Sequence, residues 1–406
     1  VGYPSNRRNS NQSVYLTSIS LKYPNKHQAF TKDLLTNPAT RDVHDIQHVV
    51  AAAASSSSAS RASAFLKDIK APSSAKAYGS YAELVKDPDV DIIYVATPHS
   101  HHFQNTMLAL EAGKNVLCEK AFTVNAAQAK KLVETARAKK LFLMEAVWTR
   151  YFPLSIKIRE MVTSGEIGAV HRVTADLSIA YALEDGSINF PVENRMVNKD
   201  LAGGALLDLG IYSLTWVFQI LYLCQKKPRE APKVLAAMDL YEKTGADETT
   251  SILLKFPGQK SVGFATTSLR VATSPDGEGS TAAGPAARIQ GTKGEIQVFG
   301  PLFRPTQYRV IKVGERGKVE DVFCPIPKDK EREGKDGEGW GHGMFWEADE
   351  AARCLRDGKL ESETLSWEES IVIMETMDEA RKQGGLEYPK LIETDVYDEK
   401  SPLNGK

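Results

Sequence analysis

Asp91-Ile92-Ile93-Tyr94-Val95-Ala96 is an apolar run stopped by Thr97-Pro98, and its reading decides the fold. A short run rich in β-branched residues is a strand, and proline ends both a sheet ladder and a helix. Downstream, residues 102–112 have helical spacing and close at Gly113, which accepts the left-handed cap geometry. Residues 115–118 form another strand. Residues 126–139 place Leu132, Val133 and Ala136 on one face with lysines opposite, an amphipathic helix, and 141–145 are a further strand. Upstream, residues 29–37 and 61–69 are helical, and 48–54 are a buried run closed by Ser55-Ser56-Ser57-Ser58. Strands separated by helices of this length need parallel crossovers, hence an α/β, Rossmann-like, doubly wound parallel sheet. In such sheets ligands lie at the carboxyl ends of the strands. That rule singles out residues 97–102, 119–120 and 145–150.

After Pro153 the pattern changes. Helical stretches at 154–161 and 205–222 precede β-branched and aromatic runs at 234–241, 249–256, 261–269, 287–290, 295–299 and 308–313. Turns such as Pro257-Gly258 and Lys293-Gly294 separate several of these. Short turns between neighbouring strands predict an open-faced, largely antiparallel sheet, followed by helices at 346–355 and 368–381. The division is therefore an irregular segment over 1–28, a dinucleotide-binding domain over 29–148, and an α+β substrate and oligomerisation domain over 149–406 ending in a tail.

The 406 residues are 25% charged and 42% apolar, with 51 basic and 52 acidic residues and a net charge of −1. That balance argues against a nucleic-acid partner. No uninterrupted apolar run approaches the roughly 18 residues of a membrane span. Cys118, Cys224, Cys324 and Cys354 are scattered without a CxxC pair, so they are expected as buried thiols in a reducing, cytoplasmic compartment. Arg7, Arg8, Lys22 and Lys26 lie among Ser and Asn with no acid before Asp33, a mixture shared with transit peptides. A record lacking its true start fits the same residues.

Three groups can carry chemistry. Lys120, after Glu119 at a strand end, can bond a substrate hydroxyl and place positive charge beside a phenol, or is a solvated lysine. Asp208 and Tyr212 are four apart behind Gly203-Gly204, so they share a helix face; they serve proton transfer, or satisfy each other in the core. Arg195 orients a substrate oxygen or pairs with an acid. Thr97-Pro98-His99-Ser100-His101-His102 is a polar loop over a cofactor rather than a metal site. Trp148 and Arg150 form an aromatic wall and a cation beside the crevice, or a packed domain join.

The stretches 95–102, 112–120, 143–151, 202–212 and Gly341-His342-Gly343-Met344-Phe345-Trp346-Glu347-Ala348 together resemble the glucose-fructose oxidoreductase/inositol dehydrogenase (Gfo/Idh/MocA) family of nicotinamide enzymes. The branch they resemble contains NADP-dependent D-xylose 1-dehydrogenase and dimeric dihydrodiol dehydrogenase. The resemblance implies Lys120 as catalytic lysine, Tyr212 as acid/base and Asp208 orienting it or the sugar. It implies a sugar C1 hydroxyl oxidised to the 1,5-lactone, with Trp148, Arg150 and Arg195 on the substrate and a homodimer as the assembly. Thr97, Pro98, His99, His102, Glu119 and Lys120 are then expected along the cofactor. Ser55, Ser56 and Arg61, with no carboxylate after the second strand, suit the 2′-phosphate of NADP. The alternatives are trans-dihydrodiol oxidation and nucleotide or sugar sensing without catalysis. Two departures stand out: Glu119-Lys120-Ala121 replaces the family's Glu-Lys-Pro, and no glycine occurs between Gly2 and Gly79, where a phosphate loop belongs. The abrupt loss of that loop suggests a mistranslated or wrongly spliced start, so no residue there is assigned to the cofactor.

Overall fold

The computed structural model describes residues 12–19, 24–315, 317–332 and 339–405. Its first sheet has six parallel strands in the order β3-β2-β1-β4-β5-β6. The elements run β1 (Gln12–Ile19), α1 (Pro24–Leu34), β2 (Ile46–Ala54), α2 (Ala59–Asp68), β3 (Lys76–Tyr78) and α3 (Tyr81–Leu84). They continue with β4 (Ile92–Val95), α4 (His99–Glu111), β5 (Asn115–Glu119), α5 (Ala126–Lys139) and β6 (Leu143–Ala146). β4 is buried along its whole length, as a strand covered on both faces must be. The strand order reverses between β1 and β4, both paired in parallel, which is where such sheets open a ligand crevice.

One boundary moves. The sheet begins at Gln12, so residues 12–19 and α1 belong to the first domain instead of an irregular segment. Residues 1–11 and 20–23, the latter joining β1 to α1, lie outside the described residues.

The second domain opens with α6 (Pro153–Thr163), β7 (Val170–Asp176) and α7 (Ile211–Leu221). An eight-stranded sheet of order β14-β13-β12-β11-β7-β10-β9-β8 follows. Its remaining strands are β8 (Lys233–Leu240), β9 (Asp247–Phe256), β10 (Ser261–Ser268), β11 (Ala287–Gly291), β12 (Gly294–Val298), β13 (Gln307–Lys312) and β14 (Val319–Phe323). All pairings are antiparallel except β7 with β10. Every residue of α7 is buried, so a helix apolar all round sits inside the protein. By length and composition alone Lys199–Leu221 could cross a membrane, but Asp208 interrupts its apolar run and 94% of its apolar window is buried in the fold. The other face of the sheet is open. Leu235, Leu253 and Phe264 are aligned across β8, β9 and β10 by register, and Leu235 is 65% exposed.

The chain then returns to the first domain. α8 (Phe345–Arg356) docks through buried Asp349, which accepts from Arg41 Nε at 2.8 Å and Nη2 at 2.9 Å and faces His48 Nε2 at 2.8 Å. α9 (Trp367–Gly384) packs between α5 and β8. Beyond α9, the strap carrying α10 (Lys390–Glu393) is sewn to the first domain by amide side chains. Gln128 Nε2 donates to the Ile392 and Thr394 carbonyls, Gln104 to Val396 and Asn105 to Leu403, each at 2.8 Å. The end of the chain is thus part of the nucleotide half.

Candidate active site

Four segments meet where the two domains face each other. Lys120 follows β5, Trp148 follows β6, His99 opens α4, and Asp208 and Tyr212 sit at the start of the core helix. That start is not regular α-helix: Leu206–Gly210 is a π turn leading into α7, a distortion that recurs at functional sites. Buried Asp247 holds this turn, accepting from Leu206 N at 2.7 Å. Gly204 permits the approach, because a Cβ there would lie 2.0 Å from Asp247 Oδ1. Burial pushes the Asp247 carboxyl up to about 6.

Lys120 bridges the two domains. Its ammonium donates to Asp208 Oδ1 at 3.0 Å and to the Asp208 carbonyl, and lies 5.0 Å from the centre of the Tyr212 ring. Arg195 Nη1 reaches the same Oδ1 at 3.1 Å. Trp148 Nε1 donates to Tyr212 Oη at 2.8 Å. Lys120, Asp208, Tyr212 and Trp148 are all buried. The arrangement therefore sets an ammonium charge beside the ring of one phenol and an indole N–H on its oxygen, in a low-dielectric setting where charges and dipoles act strongly.

The histidines of the 97–102 loop part company. His99 Nδ1 is 3.1 Å from the Ala202 carbonyl, and Nε2 is 3.9 Å from Asp208 Oδ1. Burial first, then the Lys120 charge, lowers its pKa to about 3. A neutral ring that donates from Nδ1 presents Nε2 as an acceptor, so His99 stands with the Asp208 group. His102 is corrected. Its two nitrogens lie 2.8 Å from the Ala121 carbonyl and 2.9 Å from the Thr97 carbonyl, so it ties two crevice loops together and has no ring nitrogen left for a ligand. His101 contacts Ser100 Oγ. Among the described residues no three His, Cys, Asp or Glu side chains are grouped to hold a metal ion. Glu119 accepts from the Tyr94 hydroxyl and, at 3.2 Å, from Lys120 N, in the crevice floor. The Lys120–Ala121 peptide, where the family has proline, is cis.

Arg150 is also corrected. Its guanidinium is fully buried, paired with Glu369 at 2.6 Å and bonded to the Thr364 carbonyl, so it joins α9 to the domain boundary and offers the substrate nothing. Arg150→Met should leave a buried carboxylate unpaired and cost about 3–5 kcal/mol. Urea denaturation should show that loss, while turnover per folded molecule stays near wild type.

A second cavity of about 250 Å³ lies at the carboxyl end of β2, lined by Ser55, Ser56, Arg61, Thr97, Pro98 and, from the strap, Leu403 among others. Ser58 Oγ caps α2 by accepting from Arg61 N at 3.3 Å. The Arg61 guanidinium has no ion-pair partner among the described residues, and Thr97 Oγ1 is buried with no hydrogen-bond partner. Hydroxyls, an uncommitted cation and no carboxylate fit a phosphomonoester.

Two wall residues escaped the sequence reading. Phe303 lies 5.9 Å, ring to ring, from both Trp148 and Tyr212, and His342 stacks on Trp148 at 5.3 Å and 13°. His342 sits in a motif already singled out, whereas only the Gly300-Pro301 turn marks Phe303.

Known proteins place this geometry. A family model described as "Oxidoreductase family, NAD-binding Rossmann fold" matches residues 27–147, and "GFO/IDH/MocA C-terminal domain" matches 155–297. The chain is 63% identical over 379 residues to D-xylose 1-dehydrogenase (NADP(+)) of Hypocrea jecorina, covering 93% of this chain and 94% of that protein. It is 37% identical over 363 residues to trans-1,2-dihydrobenzene-1,2-diol dehydrogenase of Homo sapiens, covering 89% and 94%. Among solved structures, an aldose-aldose oxidoreductase from Caulobacter crescentus shares the fold with a TM-score of 0.71 at 18% identity, covering 92% of this chain and 98% of that one. With both halves matched and the crevice between them built from the motifs that carry the likeness, the chain belongs to the GFO/IDH/MocA oxidoreductase family.

Proposed function

We propose that this protein is an NADP-dependent dehydrogenase that oxidises the C1 hydroxyl of D-xylose, or a similar aldopyranose, to the 1,5-lactone. The observation that carries the reading is the meeting of Lys120, Asp208, Tyr212 and Trp148 in one buried crevice, in a chain 63% identical to a D-xylose 1-dehydrogenase. Ser55, Ser56 and Arg61 would hold the 2′-phosphate, and Thr97 and Pro98 the adjoining face. When bound, NADP⁺ supplies the hydride acceptor. Tyr212 takes the C1 hydroxyl proton as the C1–H bond breaks and the carbonyl forms. Lys120 and the Trp148 N–H stabilise the phenol oxygen before that transfer. Asp208 fixes the ammonium and, with Arg195 and His99 Nε2, lines the side of the crevice that meets the sugar hydroxyls. Positioning supplies much of the remaining rate.

A second reading, oxidation of a trans-dihydrodiol, is favoured by the flat walls of Trp148, Phe303 and His342 and by the 37% identical relatives. Initial rates on D-xylose and on a benzene dihydrodiol, each with NADP⁺ and NAD⁺, separate the two. The expected result is highest kcat/KM for D-xylose with NADP⁺; a dihydrodiol preferred over the sugar contradicts the first reading.

We infer also that two copies pair over the open sheet face, supported by its apolar row Leu235, Leu253 and Phe264. Light scattering should give twice the 44.6 kDa chain mass; the mass of one chain at micromolar concentration rules this out.

A further inference from the structure

The 341–348 motif has no part in the reaction as described, yet it touches the site. Its loop is held from the far domain by Asp33, in the last turn of α1. One Asp33 oxygen accepts from His342 N and the other from Met344 N, both at 2.7 Å. Met344 caps α8, so a carboxylate from α1 sits at the positive end of the α8 dipole. The carboxylate is buried and would be costly there without those donors. The loop has no slack: Gly343 has φ +102°, and a Cβ on it would lie 2.6 Å from Phe152 Cζ. The His342 main chain is thereby fixed, its ring lies flat against Trp148 with the Arg304 guanidinium 2.6 Å from its Nδ1, and Trp148 donates to the Tyr212 phenol at 2.8 Å.

We propose that Asp33 is a positioning residue for the oxidation: by fixing the main chain of 342–344 it seats His342 on Trp148, and through the indole N–H it orients the Tyr212 oxygen. This rests on the role of Tyr212 given above. The clasp connects α1 to an aromatic wall made of Trp148, at the end of the nucleotide half, and of His342 and Phe303 beyond it.

The test compares Asp33→Asn, His342→Ala and His342→Phe in the full chain for kcat, both KM values and the pH dependence of kcat/KM. Loosening one hydrogen bond to a charge-bearing oxygen should lower kcat about tenfold. Asp33→Asn and His342→Ala should each show this, with KM for aldose and NADP⁺ within about twofold. Both should also move the basic-group ionisation in the pH profile upward, because the indole N–H no longer favours the anion. His342→Phe keeps a flat ring on Trp148 and should retain most of kcat. A merely structural role predicts activity lost in proportion to unfolded protein with an unchanged pH profile, and that result overturns the proposal. If Asp33→Asn does not fold, His342→Ala decides: wild-type kcat and pH profile reject the clasp. Tyr212→Phe distinguishes the two levels, since a fully active Tyr212→Phe removes the site reading itself, whereas an inactive one with silent His342→Ala removes only the clasp.

Discussion

Tyr212→Phe should lower kcat for aldose oxidation by about 10²–10⁴-fold, the range for losing a positioned general base. The ring stays, so its packing on Phe303 and its place beside the Lys120 ammonium persist. The oxygen goes, and with it the group 2.8 Å from Trp148 Nε1. That buried indole N–H then lacks its acceptor, which should cost about 1–3 kcal/mol of stability. Stopped-flow or steady-state NADPH formation gives the rate, and denaturant titration shows that the variant remains folded. KM for the sugar should change little, because the interaction lost belongs to the transition state. A Tyr212→Phe enzyme within threefold of wild type, roughly 0.65 kcal/mol of barrier, would remove Tyr212 from the chemistry.

Lys120→Met should cost about 10²–10³-fold in kcat, for a different reason. Methionine keeps the length of the side chain but deletes the charge between Asp208 and the phenol. Asp208 retains Arg195 at 3.1 Å, so the carboxylate is not abandoned and the fold should hold. Lys120→Arg should not restore activity, because a planar guanidinium does not reproduce a compact ammonium that reaches a carboxylate and a carbonyl of one residue. Since Lys120 acts through the phenol oxygen, the Tyr212→Phe/Lys120→Met double variant should be scarcely slower than the worse single one. Multiplicative losses would show two independent roles.

Much of this arrangement is visible in local sequence. The 91–98 stretch reveals β4 because a strand buried on both faces has an unbroken apolar pattern. The glycine pair and the i, i+4 spacing mark the Asp208–Tyr212 turn, and the serines after β2 mark the phosphate-sized cavity. What stayed hidden depends on contacts distant in sequence. Arg150 has the same local surroundings whether it faces a substrate or, as found, Glu369 219 positions away. His102 resembles a ligand until both nitrogens are seen on carbonyls. β3 has three residues and β14 carries a charged, exposed pattern, so neither offers enough periodicity. The π turn is invisible because Leu206–Leu221 is buried on every side, so there is no polar face whose shift would reveal the extra residue. The strap lacks periodicity altogether, and it is held by Gln104, Asn105 and Gln128 reaching across from α4 and α5.

A crystal structure of the ternary complex with NADP⁺ and D-xylose would test most directly whether one proton path serves the sugar. The C1 oxygen should lie within about 2.6–3.2 Å of Tyr212 Oη, with the Lys120 ammonium on the same side of the pocket. A sugar bound with C1 away from Tyr212, or with its C1 oxygen on another base, would contradict the account.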